Sequence, residues 1–512
     1  MDIAVTKAIT LTHEQNAPML SEAKKVKIIA LAGTGKSTFL RAFSHFNPNL
    51  KILYIVFTSE NAKQAAGTFP PNVHTSTCHS LAYQVIGKEY SKAGKLGTLN
   101  MRSIVDILKI TDWRLAGVIR DIINNFTYST EDLISEVHLP KSIDAIYRIN
   151  KTKILLMAAT VWNSIVDLNS KTPCTHDAYF KIWSLTKPIL NYDVILFDEA
   201  QDSNNLIMHI IEMQNARLFV VGDKNQQIYS FRGSVNALDH KFLDDAELFS
   251  LTQSFRFGIK IANIANIILS MSGETLRVKG IESIASVVSA TDEDNPYFEG
   301  KPLQKAFIHR TVIATIETAI RFVDTGKLTY WGGKIENYKL SELCDLYYMS
   351  INQNNMIKNS FLLRDYKSYD EFVKIAEATN DLEMLRFTQI IKNYSGRLPE
   401  LIFKLNNQST NNQSAADYVV TTAHRSKGLE FECVTLNEDF KNPLDNLITQ
   451  KNNNIKNIPI GDLEAIYREE MNLLYVAVTR AKYRLNINST VHELIRSAKA
   501  AIAQKRKGEL NV

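Results

Sequence analysis

The chain has 512 residues, 45% of them hydrophobic and 22% charged, which at roughly 150 residues per domain implies several cores and excludes a disordered or collagen-like polymer. Its formal charge of +5, from 59 basic against 54 acidic side chains, admits an anionic partner but selects none. The longest nearly apolar run, residues 154–162, is shorter than the roughly 20 residues of a membrane span, and acidic Asp2 with no apolar run behind it is not a secretory leader. Cys78, Cys174, Cys344 and Cys433 lie too far apart in sequence for a metal knuckle or a disulfide framework. They read as reduced thiols of an intracellular protein, cytoplasmic and nucleoid-associated in a bacterium before nuclear.

In chain order, short β-branched runs at 26–30, 52–57, 194–197 and 218–221 alternate with helical stretches, the pattern of parallel α/β sheets. Over about 91–185 and again over about 335–405 apolar residues recur at helical spacing with few strand-like runs. Each stretch reads as a helical insertion. The Asn-rich segments 406–414 and 451–459 read as solvated loops, and the basic stretch 499–507 as a solvated helix end with no assigned role.

The first strand runs through VKIIALA into Gly33, Thr34, Gly35, Lys36 and Ser37, then into an amphipathic helix from Thr38. Phosphate oxygens need converging backbone N–H groups, which a glycine-rich turn supplies, and they gain from the positive end of the following helix. Lys36 then provides charge at the β- and γ-phosphates, and the Ser37 hydroxyl a ligand for Mg²⁺. Ala30 stands where the strict pattern has its first glycine, so a plain strand-to-helix turn is the competing reading. The sequence VILFDEAQD supports the phosphate site, because Asp198 and Glu199 follow directly on an apolar strand, at the sheet edge where open α/β folds bind ligands. Asp198 is expected to hold Mg²⁺ through water, and Glu199 to orient and deprotonate the attacking water. Two carboxylates after a strand also serve as favourable charges at a helix start; the glycine-Lys-Ser loop upstream favours catalysis.

The strand LFVV ends in GDKNQQIYSFRG, which offers Asp223, Gln226, Gln227, Tyr229, Phe231 and Arg232 within one loop. An amide at this edge can reach a γ-phosphate, while aromatics farther on can stack on bases at about 1–3 kcal/mol each. Phe57 and His79 are further candidates at the same edge, each with a core role as the alternative. The second half adds Phe255 and Arg256 in LTQSFRFG, His424, Lys427, Gly428 and Glu430 in HRSKGLEF, and Arg480 within a mostly apolar helix, LLYVAVTRAK. A guanidinium delivered to the γ-phosphate is worth about 10³–10⁵ in rate. Glu469 and Glu470 lie about three helical turns before Arg480, too far for a pair along one helix.

Together QNAPM, ALAGTGKS, FTSENAKQAA, TCHSLAY, DEAQD, GDKNQQIYSFRG, QSFRF, TTAHRSKGLEF and YVAVTRAK resemble the ordered motifs of UvrD-like superfamily 1 DNA helicases. The likeness is greatest to the helicase portion of the F-box DNA helicase branch. No F-box is expected before Gln15, and no fused nuclease after Lys482. The resemblance implies an α/β fold of two RecA-like parallel-sheet P-loop NTPase lobes, each with a mainly helical insertion. Lobe 1A would occupy residues 1–90 and 186–250 around insertion 1B at 91–185; lobe 2A would occupy 251–334 and 416–490 around a short insertion 2B at 335–415, with a basic tail at 491–512. It implies ATP and Mg²⁺ as cofactors, single-stranded DNA and DNA junctions as partners alongside an unidentified protein, no membrane, and 3′–5′ movement in repair or recombination. By motif position, Gln15 would read adenine, Phe255 stack on it and Glu430 bind ribose, while Gly33, Thr34, Gly35, Lys36, Ser37 and Thr38 hold phosphate. Gln226, Arg256 and Arg480 would surround the γ-phosphate. Phe57, His79, Tyr229, Phe231 and Arg232 would carry DNA, with His424 coupling the two sites. Departures from the family pattern are Leu31 for glycine, Cys78 for an aromatic, Phe231 for tryptophan and Thr38 for arginine. The short second insertion leaves open a nucleotide-gated DNA-binding or signalling ATPase that never separates strands, and an RNA motor is a third reading.

Overall fold

A computed structural model of the protein describes residues 11–140, 143, 150–229, 236–292, 296–443 and 460–509. Its first sheet contains β1 (Lys25–Ala30), β2 (Ile52–Ile55), β3 (Val73–Ser76), β4 (Val194–Phe197), β5 (Arg217–Gly222) and β6 (Glu247–Leu251). They run in the order β3-β2-β4-β5-β1-β6, every pairing parallel. Such a sheet is covered on both faces, so its strands carry nearly continuous apolar runs, and every residue of β2 and β4 is buried. One face packs on the helix Lys36–Phe46 through Phe39, Leu40 and Phe43. The other packs on the helix Asn205–Glu212 and the first insertion. The chain leaves β1 toward β2 and leaves β5 toward β6, so beside the paired carboxyl ends of β1 and β5 a crevice opens.

After a two-stranded pairing of β7 (Gln253–Gly258) with β8 (Lys279–Ile281), β9 (Val287–Ser289) joins the second sheet and β10 (Tyr297–Phe298) pairs with β11 (Lys301–Pro302). The second sheet is completed by β12 (Lys305–His309), β13 (Thr329–Trp331), β14 (Ser409–Thr410), β15 (Tyr418–Thr422), β16 (Phe431–Leu436) and β17 (Ala481–Asn486). Its order is β14-β13-β15-β12-β16-β17-β9, again parallel throughout. The molecule is thus two parallel α/β lobes, each with a helical insertion.

The insertions meet each other. Arg102 Nη2 donates to both oxygens of Glu371 at 2.7 Å, Arg120 reaches Asp381 at 3.3 Å, and Ile375 of the second insertion is fully buried in the apolar cluster of the first.

Several local expectations need correction. The helix after the phosphate loop starts at Lys36, two residues before Thr38, because Gly35 takes the left-handed conformation that turns the chain into it. β2 stops at Ile55, so Phe57 lies beyond the strand. Part of the Asn-rich segment 406–414 is ordered as β14, paired with β13; residues 451–459 lie outside the described residues. The basic stretch 499–507 does end a helix, as expected, and that helix, Ser489–Glu509, begins by burying Val491 and Leu494 in the second lobe. Among the described residues no helix is long and apolar enough to cross a membrane.

Candidate functional site

Two glycines shape the loop after β1. Gly33 and Gly35 have φ of +74° and +77°, and a Cβ at Gly33 would lie 2.6 Å from Ser254 Oγ and one at Gly35 2.7 Å from Gln15 Nε2. Any side chain there would fill the cradle. Leu31, where the family usually has glycine, is fully buried in the second lobe's cluster beside Ile228 and Phe257, so the departure ties the loop to the opposite lobe. Tyr475, from the helix Ile460–Val478, accepts from the Ala32 N–H at 3.1 Å.

Lys36 Nζ lies 2.6 Å from Glu199 Oε1. Glu199 itself is left-handed, with φ +54° and ψ +38°, a conformation that costs a non-glycine residue about 1–3 kcal/mol and persists only where its surroundings enforce it. Its N–H donates to Asp198 Oδ1 at 2.9 Å, and Gln201 Nε2 donates to its Oε2 at 2.5 Å. Gln201 in turn accepts from the Asp223 N–H at 3.0 Å. Burial alone would raise the Glu199 carboxyl, but Lys36 and Lys427 outweigh it and hold the group well below the usual carboxylate range. Burial raises Asp198. The two neighbouring carboxyls are thus shifted in opposite directions, Glu199 by its lysines and Asp198 by burial.

Arg480 is not within the helix but two residues past its end, before β17. It is 2% exposed and donates to Val476 O at 2.9 Å, Leu429 O at 3.3 Å and Gln226 Oε1 at 3.4 Å. Burial, with Arg256 beside it, lowers its pKa to about 9, which leaves it charged at neutral pH. Glu470 is held instead by Arg310, at 2.6–3.1 Å. Gln226 Nε2 donates to Asp223 Oδ2 at 2.8 Å. Arg256 donates to Glu430 at 2.8 Å and to Thr479 O at 2.9 Å, and Lys482 lies 3.0 Å from Glu430.

Gln15 is held by a capping box with Thr12 and donates to Thr34 O at 3.2 Å. With the half-exposed Phe255 ring it flanks Gly35. Gly33 to Thr38, Asp198, Glu199, Phe255, Arg256 and Glu430 line one cleft of about 500 Å³, within the range of small-ligand sites. The donors suit a magnesium triphosphate: a glycine cradle at a helix start, a lysine, arginines, and Ser37 with Asp198 as hard oxygen ligands. Ser37 and Asp198 would hold such an ion, whose remaining ligands would be phosphate oxygens and water.

A second cavity, of about 600 Å³, shares Val56, Asp198 and Glu199 with the first and is lined by Phe57, His79 and Tyr229. The Phe57 and Tyr229 rings stack at 5.3 Å. Tyr229 Oη donates to His424 O at 3.2 Å, and His79 contacts Asp177 at 3.0 Å. Phe231 and Arg232 lie outside the described residues.

Sequence reasoning passed over four residues here. Lys427 was singled out without a role; it bonds Asp202, donates to Gln226 O at 2.7 Å and lies 3.7 Å from Glu199. Asp202 and Gln201 sit in the same DEAQD segment as the two assigned acids. Tyr54 carries the only side-chain polar atom in the strand ILYI, which was the available signal.

Comparison with known proteins matches residues 184–247 to the UvrD/REP helicase N-terminal domain and 334–492 to the UvrD-like helicase C-terminal domain. The chain is 30% identical to F-box DNA helicase 1 of Gallus gallus, over 95% of this chain and 50% of that protein. It is 29% identical to F-box DNA helicase protein 1 of Schizosaccharomyces pombe, over 94% and 58% respectively. A probable DNA helicase II homolog of Mycoplasma genitalium is 28% identical over 57% of this chain and 47% of its own. The chain therefore spans about half the length of the curated relatives it matches.

Proposed function

Because the chain carries the N- and C-terminal domains of a UvrD-like helicase, we propose that it is an ATP-dependent single-stranded DNA translocase and 3′–5′ DNA helicase. The observation that carries the reading is a single cleft to which one lobe brings Lys36, Asp198 and Glu199 and the other brings Arg256 and Glu430, Arg256 being held by Thr479 O of its own lobe. Arg480 and Gln226, bonded to each other, do not line that cleft; Arg480 adjoins it through Leu429 O, between the lining residues Gly428 and Glu430.

Magnesium-bound ATP supplies a strained phosphoanhydride and a divalent charge that neutralises the leaving group. The remaining work belongs to the chain. Backbone N–H groups of the loop and Lys36 hold the phosphates, and Ser37 and Asp198 hold the ion. Glu199, once Lys36 turns from it to the phosphates, takes the proton of the attacking water at its carboxylate. Arg256 and Arg480 meet the charge that develops on the γ-phosphoryl oxygens, which makes turnover conditional on closure of the lobes. Phe57, His79 and Tyr229 bear DNA at the adjoining edge, with Phe231 and Arg232 sharing that role by motif, and His424, bonded to Tyr229 through its carbonyl, links that edge to the second lobe. DNA, including junctions, is the polymer because the relatives are named DNA helicases. Two of these relatives are a bird and a yeast protein, so a nuclear setting stands on at least equal footing with a bacterial one.

Forked duplexes with either a 3′ or a 5′ tail test the proposal: unwinding is expected only from the 3′ tail. Brisk DNA-stimulated turnover with no unwinding of either substrate would favour the nucleotide-gated ATPase, a reading supported by the closed contact between the insertions.

A further inference from the structure

Tyr54 lies on β2 opposite Leu196 of β4. It faces the helix that follows the phosphate loop and packs with Phe39 and Leu40. Its ring is 3% exposed and stacks on Phe69, centroids 4.5 Å apart at 24°, so both torsions of the side chain are fixed by packing. The hydroxyl is carried to the wall of the nucleotide cleft, where Tyr54 Oη donates to Asp198 Oδ2 at 2.7 Å. The other oxygen, Oδ1, accepts the Glu199 N–H. Each oxygen of Asp198 is thereby fixed by one donor and keeps a lone pair for the cleft. The Ser37 side chain adjoins the same phenol.

One hydroxyl therefore bonds the carboxylate assigned to the metal and adjoins the Ser37 side chain assigned with it. Lys36 attracts the Asp198 carboxylate from the cleft side, and without a donor on Oδ2 the carboxylate is free to rotate toward it. Magnesium tolerates little angular error and takes few protein ligands, so the orientation of one carboxylate decides its binding.

We propose that Tyr54 is a positioning residue for the divalent ion, acting through Asp198 and Ser37. The inference rests on the ATPase reading above and deepens it. Loss of such an outer hydrogen bond typically weakens metal affinity about 10–100-fold. Mn²⁺ binding to the protein with ADP, followed by electron paramagnetic resonance, should weaken by that factor in Tyr54→Phe, while ADP affinity without metal stays at the parent value. Tyr54→His, which retains a ring and an N–H donor, should recover part of the loss. Adding Asp198→Asn to Tyr54→Phe should weaken Mn²⁺ binding no further than Asp198→Asn alone, since both changes act on one carboxylate. A folded Tyr54→Phe that binds Mn²⁺ within about twofold of the parent, against the expected tenfold or more, overturns the inference and leaves the ATPase reading standing. A parent that holds no Mn²⁺ with ADP overturns both. If Tyr54→Phe does not fold, Tyr54→Met, which also lacks a donor, is measured against the same two outcomes.

Discussion

Glu199 occupies the most constrained backbone of the site: left-handed, paired with Lys36, held by Gln201 and anchored on Asp198. Glu199→Gln keeps the shape and removes the base, so DNA-stimulated ATP turnover should fall by about 10²–10⁴ with nucleotide affinity unchanged, as steady-state kinetics and equilibrium titration can establish. Turnover at the parent rate would remove Glu199 from the chemistry. Asp202 makes a prediction of opposite kind. Burial pushes its carboxyl up to about 6 from 3.8 even though Lys427 pairs with it, and its Oδ1 has no hydrogen-bond partner among the described residues. A carboxyl raised on folding contributes stability that is full below the unfolded value and lost as pH rises through the folded one. Between pH 4 and 7, Asp202→Asn should therefore gain about 2–3 kcal/mol relative to the parent, read from denaturant unfolding at each pH. A constant difference across that range would show that Asp202 is not the titrating group.

At the scale of elements, much of the site was legible because short local patterns dictate it. The glycine loop before a helix and the acids after β4 follow from the backbone needs of phosphate binding and from the carboxyl edge of a parallel sheet. What the sequence hid are contacts between segments far apart in the chain. Leu31 looks like a defect in the loop until the second lobe's core is seen around it, and the Arg480 side chain bonds a carbonyl some fifty residues upstream, Leu429 O. Tyr54 reads as one more buried strand residue; only the pairing of β2 with β4 brings its hydroxyl to Asp198. The same geometry makes the loop intolerant of side chains. Gly33→Ala combines a positive φ with contacts of 2.6 Å to Ser254 and 2.9 Å to Arg256, and should cost at least about 1–2 kcal/mol together with much of the nucleotide affinity. Calorimetry and nucleotide titration would check both, and parent-like values in each would contradict this account of the cradle.

At the scale of the molecule, the insertions close a second contact between the lobes. The carboxyl of Glu371 stays below its usual range although burial opposes this, because the Lys367 N–H and Arg102 bind it. Arg102→Glu sets two acids against each other and removes a charge-assisted bond worth about 1.5–3 kcal/mol. Fluorophores at Leu156 and Leu382, both exposed, should then separate, and the exchange Arg102→Glu with Glu371→Arg should bring them back. Unchanged energy transfer would mean that Ile375 and its apolar neighbours hold the insertions together without the ion pair.

The central claim is that the two lobes form one nucleotide site whose turnover answers to a polynucleotide. It is tested most directly by steady-state ATP hydrolysis measured with no nucleic acid and with single-stranded DNA, duplex DNA and RNA of matched length. Turnover should rise strongly with single-stranded DNA, less with duplex and least with RNA, and vanish in Arg480→Ala under every condition. Hydrolysis that ignores all three polymers, or that survives loss of Arg480, would contradict it.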